Sequence, residues 1–80
     1  MHELGVLTQV VRTVSRIADQ NHISKIKHIT LYVGKDSSFV PVFLEKLYPV
    51  AIDHSELLRG SRLIIQKVQG SGLQIKDIGY

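Results

Sequence analysis

The chain has 80 residues, of which 44% are hydrophobic and 21% charged, and its net charge is +3. This length suits a single small domain, residues 1–80, and the composition excludes a disordered chain. The chain has no cysteine, which excludes disulfides, a cysteine zinc site and a thiol nucleophile.

The distribution of basic and apolar residues narrows the partners further. The basic residues are scattered and are not interleaved with aromatic residues, so nucleic-acid binding is not expected. No apolar run reaches transmembrane length and no signal-peptide layout is visible, which together predict a soluble cytoplasmic protein without membrane contact. The core of so short a chain is thin, so a partner surface or oligomerisation is compatible with the sequence.

The first three residues, Met1-His2-Glu3, have the makings of a metal site. The α-amine, the backbone amide nitrogen and the imidazole of His2 can close fused chelate rings on one metal ion. Nitrogen-rich, square-planar sites of this kind suit Ni(II) and Cu(II). The alternative is a frayed terminus in which Glu3 only favours the positive end of the following helix.

The first helix is predicted from Leu4 to about Gln20, because its apolar residues recur at the spacing of one helical face. They are Leu4, Leu7, Val10, Val11, Val14, Ile17 and Ala18. Asn21-His22 is the predicted stop: Asn adopts the left-handed conformation readily, and His favours the negative helix end. His22 is therefore interpreted as a helix-end residue rather than a ligand.

A strand and a second helix follow. Ile26–Val33 alternates between apolar and polar residues, as in a half-buried strand. After Gly34 and a polar turn, Ser37 or Ser38 is the predicted cap of a helix over Phe39–Ile52. Pro41 is tolerated in its first turn, whereas Pro49 predicts a kink or an early stop with an irregular tail. Beyond this helix, His54 and Glu56 are interpreted as surface residues.

Two more strands, Arg62–Val68 and Leu73–Ile78, are predicted, with a hairpin turn at 69–72 between them. Their apolar spacing breaks strict alternation, which indicates bulges or strong twist. The predicted fold is α+β, in the order helix-strand-helix-strand-strand. Its simplest form is a two-layer structure with a three-stranded mixed sheet and both helices on one face. The strand order is not fixed by the pattern.

Signatures of catalysis are weak in this sequence. Gly70-Ser71-Gly72 is not followed by Lys-Ser/Thr and opens no helix, so it is not a phosphate loop. Ser, His and Asp occur without a local triad signature, and the acidic residues are too dispersed to suggest a carboxylate pair. We therefore do not expect an enzyme.

Taken together, the elements resemble a known family. Met1-His2-Glu3-Leu4 opening an amphipathic helix, the strand end Leu31-Tyr32-Val33-Gly34 and the turn Ser37-Ser38-Phe39-Val40-Pro41 are similar to the HypA/HybF nickel-incorporation proteins of nickel–iron hydrogenase maturation. The strand Leu63-Ile64-Ile65-Gln66-Lys67-Val68 and the tail Leu73-Gln74-Ile75-Lys76-Asp77-Ile78 fit the same pattern. The resemblance spans nearly the whole chain.

The resemblance implies a nickel(II) metallochaperone rather than an enzyme. The implied ligands are the Met1 amine, the imidazole and amide nitrogen of His2, and the amide nitrogen of Glu3. The implied partners are a nickel-delivery GTPase and the hydrogenase large-subunit precursor, and some members of the family also serve urease maturation.

One departure from the family is large. The family carries a zinc domain with two Cys-x-x-Cys pairs between its last two strands, where this chain has only the few residues between Val68 and Leu73. Either this is a natural short homologue, or the insertion has been removed and the ends rejoined. No zinc is expected. Two other hypotheses stay open: an adaptor module of the same fold that has lost metal delivery, and a small enzyme that uses one of the four histidines.

Overall fold

Three β-strands form one mixed sheet, and two amphipathic helices pack over it. A computed structural model describes residues 2–80 of the chain. The elements are α1 (Glu3–Gln20), β1 (His28–Gly34), α2 (Pro41–Ala51), β2 (Arg62–Val68) and β3 (Leu73–Gly79). The strand order is β2-β1-β3, with β1 parallel to β2 and antiparallel to β3. The predicted α+β class, element order and three-stranded mixed sheet are confirmed.

The core is one cluster between the helices and the sheet. Alternate residues of the central strand, Ile29, Leu31 and Val33, are buried against α1 and α2. The apolar stripe predicted for the first helix supplies its buried residues, among them Leu7, Val10 and Val14. Burial of such side chains stabilises the fold by about 1.5–3 kcal/mol each. Among residues 2–80, no helix is both long and apolar enough to cross a membrane.

The predicted hairpin between the last two strands is wrong. β1 lies between β2 and β3, so the connection at residues 69–72 crosses over the end of β1 instead of turning back on its own strand. Three backbone hydrogen bonds fix this crossing to the end of β1: Gly34 N–H to Gly72 C=O (2.8 Å), Lys35 N–H to Val68 C=O (2.8 Å) and Asp36 N–H to Gly70 C=O (2.9 Å). Glycine-rich segments suit both connections, and only the strand pairing distinguishes them.

The predicted break in strict alternation is found in both strands, with adjacent exposed residues in each, but a bulge accounts for it only in β3. The β1–β3 register shifts between Thr30 and Leu31, which pair with Asp77 and Ile75 and leave Lys76 as the extra residue of a bulge. Lys76 and Asp77 are consequently both exposed. The register of β2 with β1 runs without interruption from Arg62 to Val68.

The C-terminal end of α1 differs in detail from the prediction. At the end of α1 the residue with the left-handed conformation is His22 (φ 57°), whereas Asn21 has φ −108°. The amide of Ile23 bonds to the carbonyl of Ala18 at 2.8 Å, which completes a Schellman motif. His22 is thus a helix-end residue, as interpreted from the sequence, but it takes the role that was predicted for Asn21.

The second helix begins at Pro41 with Val40 as its N-cap residue, so the predicted serine cap is wrong. The helix continues through Pro49 to Ala51, and the early stop is also wrong. Pro49 lies in the last turn, where it removes only one backbone hydrogen bond.

Tyr48 anchors this helix to the segment before β2. Its ring is buried, and its hydroxyl lies 2.7 Å from the Ser61 hydroxyl. We expect Tyr48→Phe to lower the free energy of unfolding by about 1 kcal/mol near neutral pH, because this hydrogen bond is lost. Burial raises the pKa of the Tyr48 hydroxyl above its ordinary value of 10.0.

The raised pKa predicts a pH dependence with a definite sign. The stability linked to the protonated phenol is fully present below pH 10 and is lost as the pH rises through the higher folded-state value. The gap between wild type and Tyr48→Phe should therefore narrow in alkali. Urea titrations of both proteins at neutral and alkaline pH measure this gap, and a constant gap would contradict the assignment.

Candidate metal centre

His2 and Glu3 lie at the start of α1, where the backbone amides donate no hydrogen bond within the helix. His2 is the N-cap residue of α1, and its carbonyl accepts a hydrogen bond from the Val6 amide at 2.9 Å. The first amides of any helix have no acceptor within the helix. The amide nitrogens of His2 and Glu3 can therefore bind a metal ion without breaking a helical hydrogen bond.

The two side chains of this pair face different surroundings. The side chain of His2 is exposed, so its imidazole is accessible to a metal ion from solvent. That of Glu3 is only 3% exposed. Met1, the third member of the predicted site, lies outside the described residues. The His2 imidazole and the Glu3 backbone thus lie together at the start of α1. The Glu3 carboxylate is buried and is not part of this exposed group.

The buried Glu3 carboxylate joins the two helices at their N-termini. Its Oε2 accepts a hydrogen bond from the Val40 amide at 3.0 Å, just before α2 begins. Glu3 also lies in the first turn of α1, so a carboxylate sits at the positive ends of both helices. The hydrogen bond from Val40, assisted by one from its own amide, holds the pKa of the Glu3 carboxyl below its ordinary value, although burial acts in the other direction.

The bond between Glu3 and Val40 was not foreseen from the sequence. Ser37 and Ser38 were expected to cap α2, yet no side-chain cap comes from its own N-cap residue, Val40. A signal was available in the apolar stretch Phe39-Val40, which precedes Pro41 and offers no local acceptor. A helix that begins in this way needs an acceptor from elsewhere in the chain.

The remaining histidines do not gather around this centre. His28 lies at the start of β1, with its Nε2 3.4 Å from Asp77 Oδ1. His54 is fully exposed beside Asp53, and Glu56 pairs with Arg59, which confirms the interpretation of His54 and Glu56 as surface residues. Among residues 2–80 no three side chains of His, Asp or Glu come together as a metal-binding group. The metal site predicted from the sequence at the helix start draws on backbone nitrogens beside the His2 imidazole.

Comparison with known proteins identifies the class to which this fold and helix start belong. Residues 1–73 match a family described as hydrogenase/urease nickel incorporation, metallochaperone, hypA. This is a class of metal-carrier proteins, not of enzymes, which confirms the expectation that the chain is not an enzyme. The chain belongs to the HypA family, and the resemblance inferred from the sequence is confirmed.

Two relatives illustrate the match. The chain is 35% identical over 68 residues to the hydrogenase maturation factor HypA of Methanocella arvoryzae, which covers 85% of this chain and 59% of that protein. The chain therefore spans about three fifths of the length of this curated relative. The solution structure of the Ni metallochaperone HypA from Helicobacter pylori superposes with a TM-score of 0.89 over 99% of this chain and 97% of that one, at 13% identity. The latter shows a shared fold.

Proposed function

We propose that this chain is a nickel-binding metallochaperone domain that carries nickel(II) for insertion into a hydrogenase or urease precursor. The proposal is supported by membership of a family described by that role. The observation that carries it is the helix start, where an exposed histidine and two backbone nitrogens outside the helical hydrogen-bond pattern lie in sequence.

The proposed ligands are the Met1 amine, the amide nitrogen and imidazole of His2, and the amide nitrogen of Glu3. These four nitrogens belong to consecutive residues, so they can close fused chelate rings around one metal ion. Such an arrangement suits the square-planar preference of nickel(II). Two deprotonated amides also balance the charge of the ion. Because each ligand nitrogen must lose or lack a proton, nickel affinity is expected to increase with pH.

The carboxylate of Glu3 has a different role in this proposal. Its hydrogen bond to the Val40 amide occupies it within the protein, so it positions the helix start and does not bind the metal. The start of α1 is thereby fixed against α2, and the backbone of residues 2 and 3 is held in one conformation. Such preorganisation reduces the conformational entropy that the chain loses when it binds the metal.

The proposed partners follow from the family. They are the nickel-delivery GTPase and the hydrogenase large-subunit precursor, with urease maturation as a second destination. The family's zinc site has no counterpart among side chains in this chain, because the sequence contains no cysteine. The segment between Val68 and Leu73, where the family carries its zinc domain, has only four residues in this chain.

A nickel titration by calorimetry tests this function directly. The untagged protein is expected to bind one nickel ion, and His2→Ala is expected to lose this site, because the imidazole is the only side-chain ligand proposed. His54→Ala is the matched control: its side chain is 99% exposed and it lies outside the proposed site. The control variant should bind nickel as the wild type does.

Two outcomes would contradict the proposal. Negligible nickel binding by the wild-type protein would leave the alternative of an adaptor module that keeps the fold and a docking surface. Equal binding by wild type and His2→Ala would place the metal elsewhere. Circular dichroism of both variants shows that any loss is not caused by unfolding, since neither side chain belongs to the core.

A further inference from the structure

The net positive charge of this chain is concentrated on its sheet. Outside the three strands and the residue that enters β1, six basic and six acidic residues cancel one another. The remaining charged residues therefore account for the whole net charge of +3. They are Lys27, Arg62, Lys67, Lys76 and Asp77. The fold thus brings together basic residues that are scattered along the sequence.

Much of this charge lies on the face of the sheet that the helices do not cover. Alternate residues of β1 are buried beneath the helices, so the residues between them lie on the opposite face, which we call the open face. The strand register places one residue of β2 and one of β3 beside each of these. The three rows of the open face are Arg62-His28-Gly79, Ile64-Thr30-Asp77 and Gln66-Tyr32-Gln74.

The bulge in β3 adds a second cation to the open face. Lys76 is the residue that the bulge leaves unpaired, and its ammonium lies 5.7 Å from the centre of the Tyr32 ring. It also donates a hydrogen bond to Gln66 Oε1 at 3.2 Å. The Lys76 side chain therefore crosses β1 from one edge strand to the other, and both of its contacts are to uncharged groups.

The acidic residue of the open face already has a partner. Asp77 Oδ1 lies 3.4 Å from His28 Nε2. Arg62 and Lys76 are exposed, and neither forms an ion pair with any residue from 2 to 80. Cations on one face without carboxylate partners produce a positive potential that attracts an anionic partner.

We propose that the open face binds an acidic segment of a partner protein. Charge complementarity selects an anionic occupant, with carboxylates opposite Arg62 and Lys76. The exposed side chains between these cations suit a protein surface, because Ile64 offers apolar contact while Gln66 and Gln74 offer hydrogen bonds.

Two other anionic partners fit the open face less well. Single-stranded nucleic acid stacks its bases on accessible aromatic rings, and the aromatic residue of this face, Tyr32, is partly buried and lies beneath Lys76. A membrane surface requires an apolar face that inserts among the lipids, whereas the exposed apolar residue in these rows is Ile64 alone.

The proposal does not depend on the nickel function. The proposed nickel ligands lie at the start of α1, in the helical layer on the other side of the sheet. A partner bound to the open face would leave the His2 imidazole accessible to a metal ion. The two sites can therefore be tested separately.

Fluorescence anisotropy with a labelled ten-residue peptide of alternating Glu and Ala tests the proposal. The wild type should bind the peptide at low salt and more weakly at high salt, whereas a peptide with Gln in place of Glu should not bind. The double variant Arg62→Glu with Lys76→Glu should raise the dissociation constant by about 10-fold, because two attractions become repulsions.

The matched control makes the same change of charge in the helical layer. Arg12→Glu with Arg16→Glu alters two exposed residues of α1 and should change the dissociation constant by less than about 2-fold, because exposed charges at a distance are screened. Circular dichroism establishes that both double variants are folded. Amide chemical shifts of the labelled wild type should change on β1, β2 and β3 when the peptide is added.

Four outcomes would overturn the proposal. A wild-type chain that does not bind the acidic peptide would leave the open face without this partner. Equal weakening by the two double variants would show an effect of net charge alone. Shift changes confined to α1 and α2 would place the peptide on the helices. Tighter binding of a ten-nucleotide oligothymidylate, or of phosphatidylserine vesicles, would identify the anionic partner as nucleic acid or membrane.

Discussion

Nickel affinity is expected to fall by at least about 100-fold when Gly-Ser is added before Met1. The addition converts the Met1 amine into an amide, and an amide must lose a much less acidic proton before it can bind a metal ion. Changes outside the immediate ligands of a metal already cost 10–100-fold in affinity, so removal of a ligand should cost at least the upper end of this range. The side chains of His2 and Glu3 are unchanged by the addition.

The length of the addition matters to this experiment. One extra residue would place His2 third from the new amine, where the amine, two amides and the imidazole again close a nitrogen chelate. Two residues move the imidazole beyond that arrangement. The matched control adds Gly-Ser after Tyr80, which is exposed and distant in sequence from the site.

Calorimetric titrations of the two extended proteins, with the wild type alongside, measure the effect. The protein extended at the C-terminus should bind nickel with the wild-type affinity. Wild-type affinity in the protein extended at the N-terminus would show that the amine is not a ligand. The site would then have to be built from His2 and other groups, even if His2→Ala abolished binding.

The elements of the fold could be predicted because their signals are local. A stripe of apolar residues at helical spacing predicts α1, and the alternation of apolar and polar residues predicts β1. Both patterns can be recognised from the segment itself, without the rest of the chain. The pairing of β2 and β3 with β1 is a non-local property. The segment at residues 69–72 is equally suited to a hairpin and to a crossing over the end of β1, and only the pairing of β3 with β1 instead of β2 decides between them.

The candidate site divides in the same way. The triplet Met1-His2-Glu3 is recognisable because its proposed ligands are consecutive, so no tertiary structure is needed to bring them together. The role of the Glu3 side chain depends on Val40, which is 37 residues away. The structure shows that α2 has no side-chain cap from its N-cap residue, Val40, whereas the sequence predicted a serine cap and gave no indication that a distant carboxylate supplies the acceptor.

The crossing over β1 also makes Gly34 the glycine at which a side chain would do most damage to the backbone. A Cβ atom built on Gly34 would lie 2.3 Å from the carbonyl oxygen of Gly70 and 2.9 Å from the Cα of Ser71. Both contacts are to backbone atoms, which cannot rotate away as a flexible side chain can. The three hydrogen bonds from residues 34–36 hold the crossing in this position.

Gly34→Ala is therefore expected to lower the free energy of unfolding by about 3 kcal/mol, the upper end of the usual cost of overpacking, because the crossing must move and weaken its hydrogen bonds. For a domain of this size the melting temperature should fall by about 10 °C or more. Thermal unfolding followed by circular dichroism measures this shift.

The same substitution at another glycine, Gly5→Ala, is expected to change stability in the opposite direction. Gly5 lies in the first turns of α1, and a Cβ atom added there meets nothing within 4 Å. Alanine is favoured over glycine in a helix by about 0.5–1 kcal/mol, so this variant should be slightly more stable than the wild type. If both variants melted at the wild-type temperature, the connection between β2 and β3 would not pass against Gly34. The strand order β2-β1-β3 would then be in question, since that order forces the connection across the end of β1.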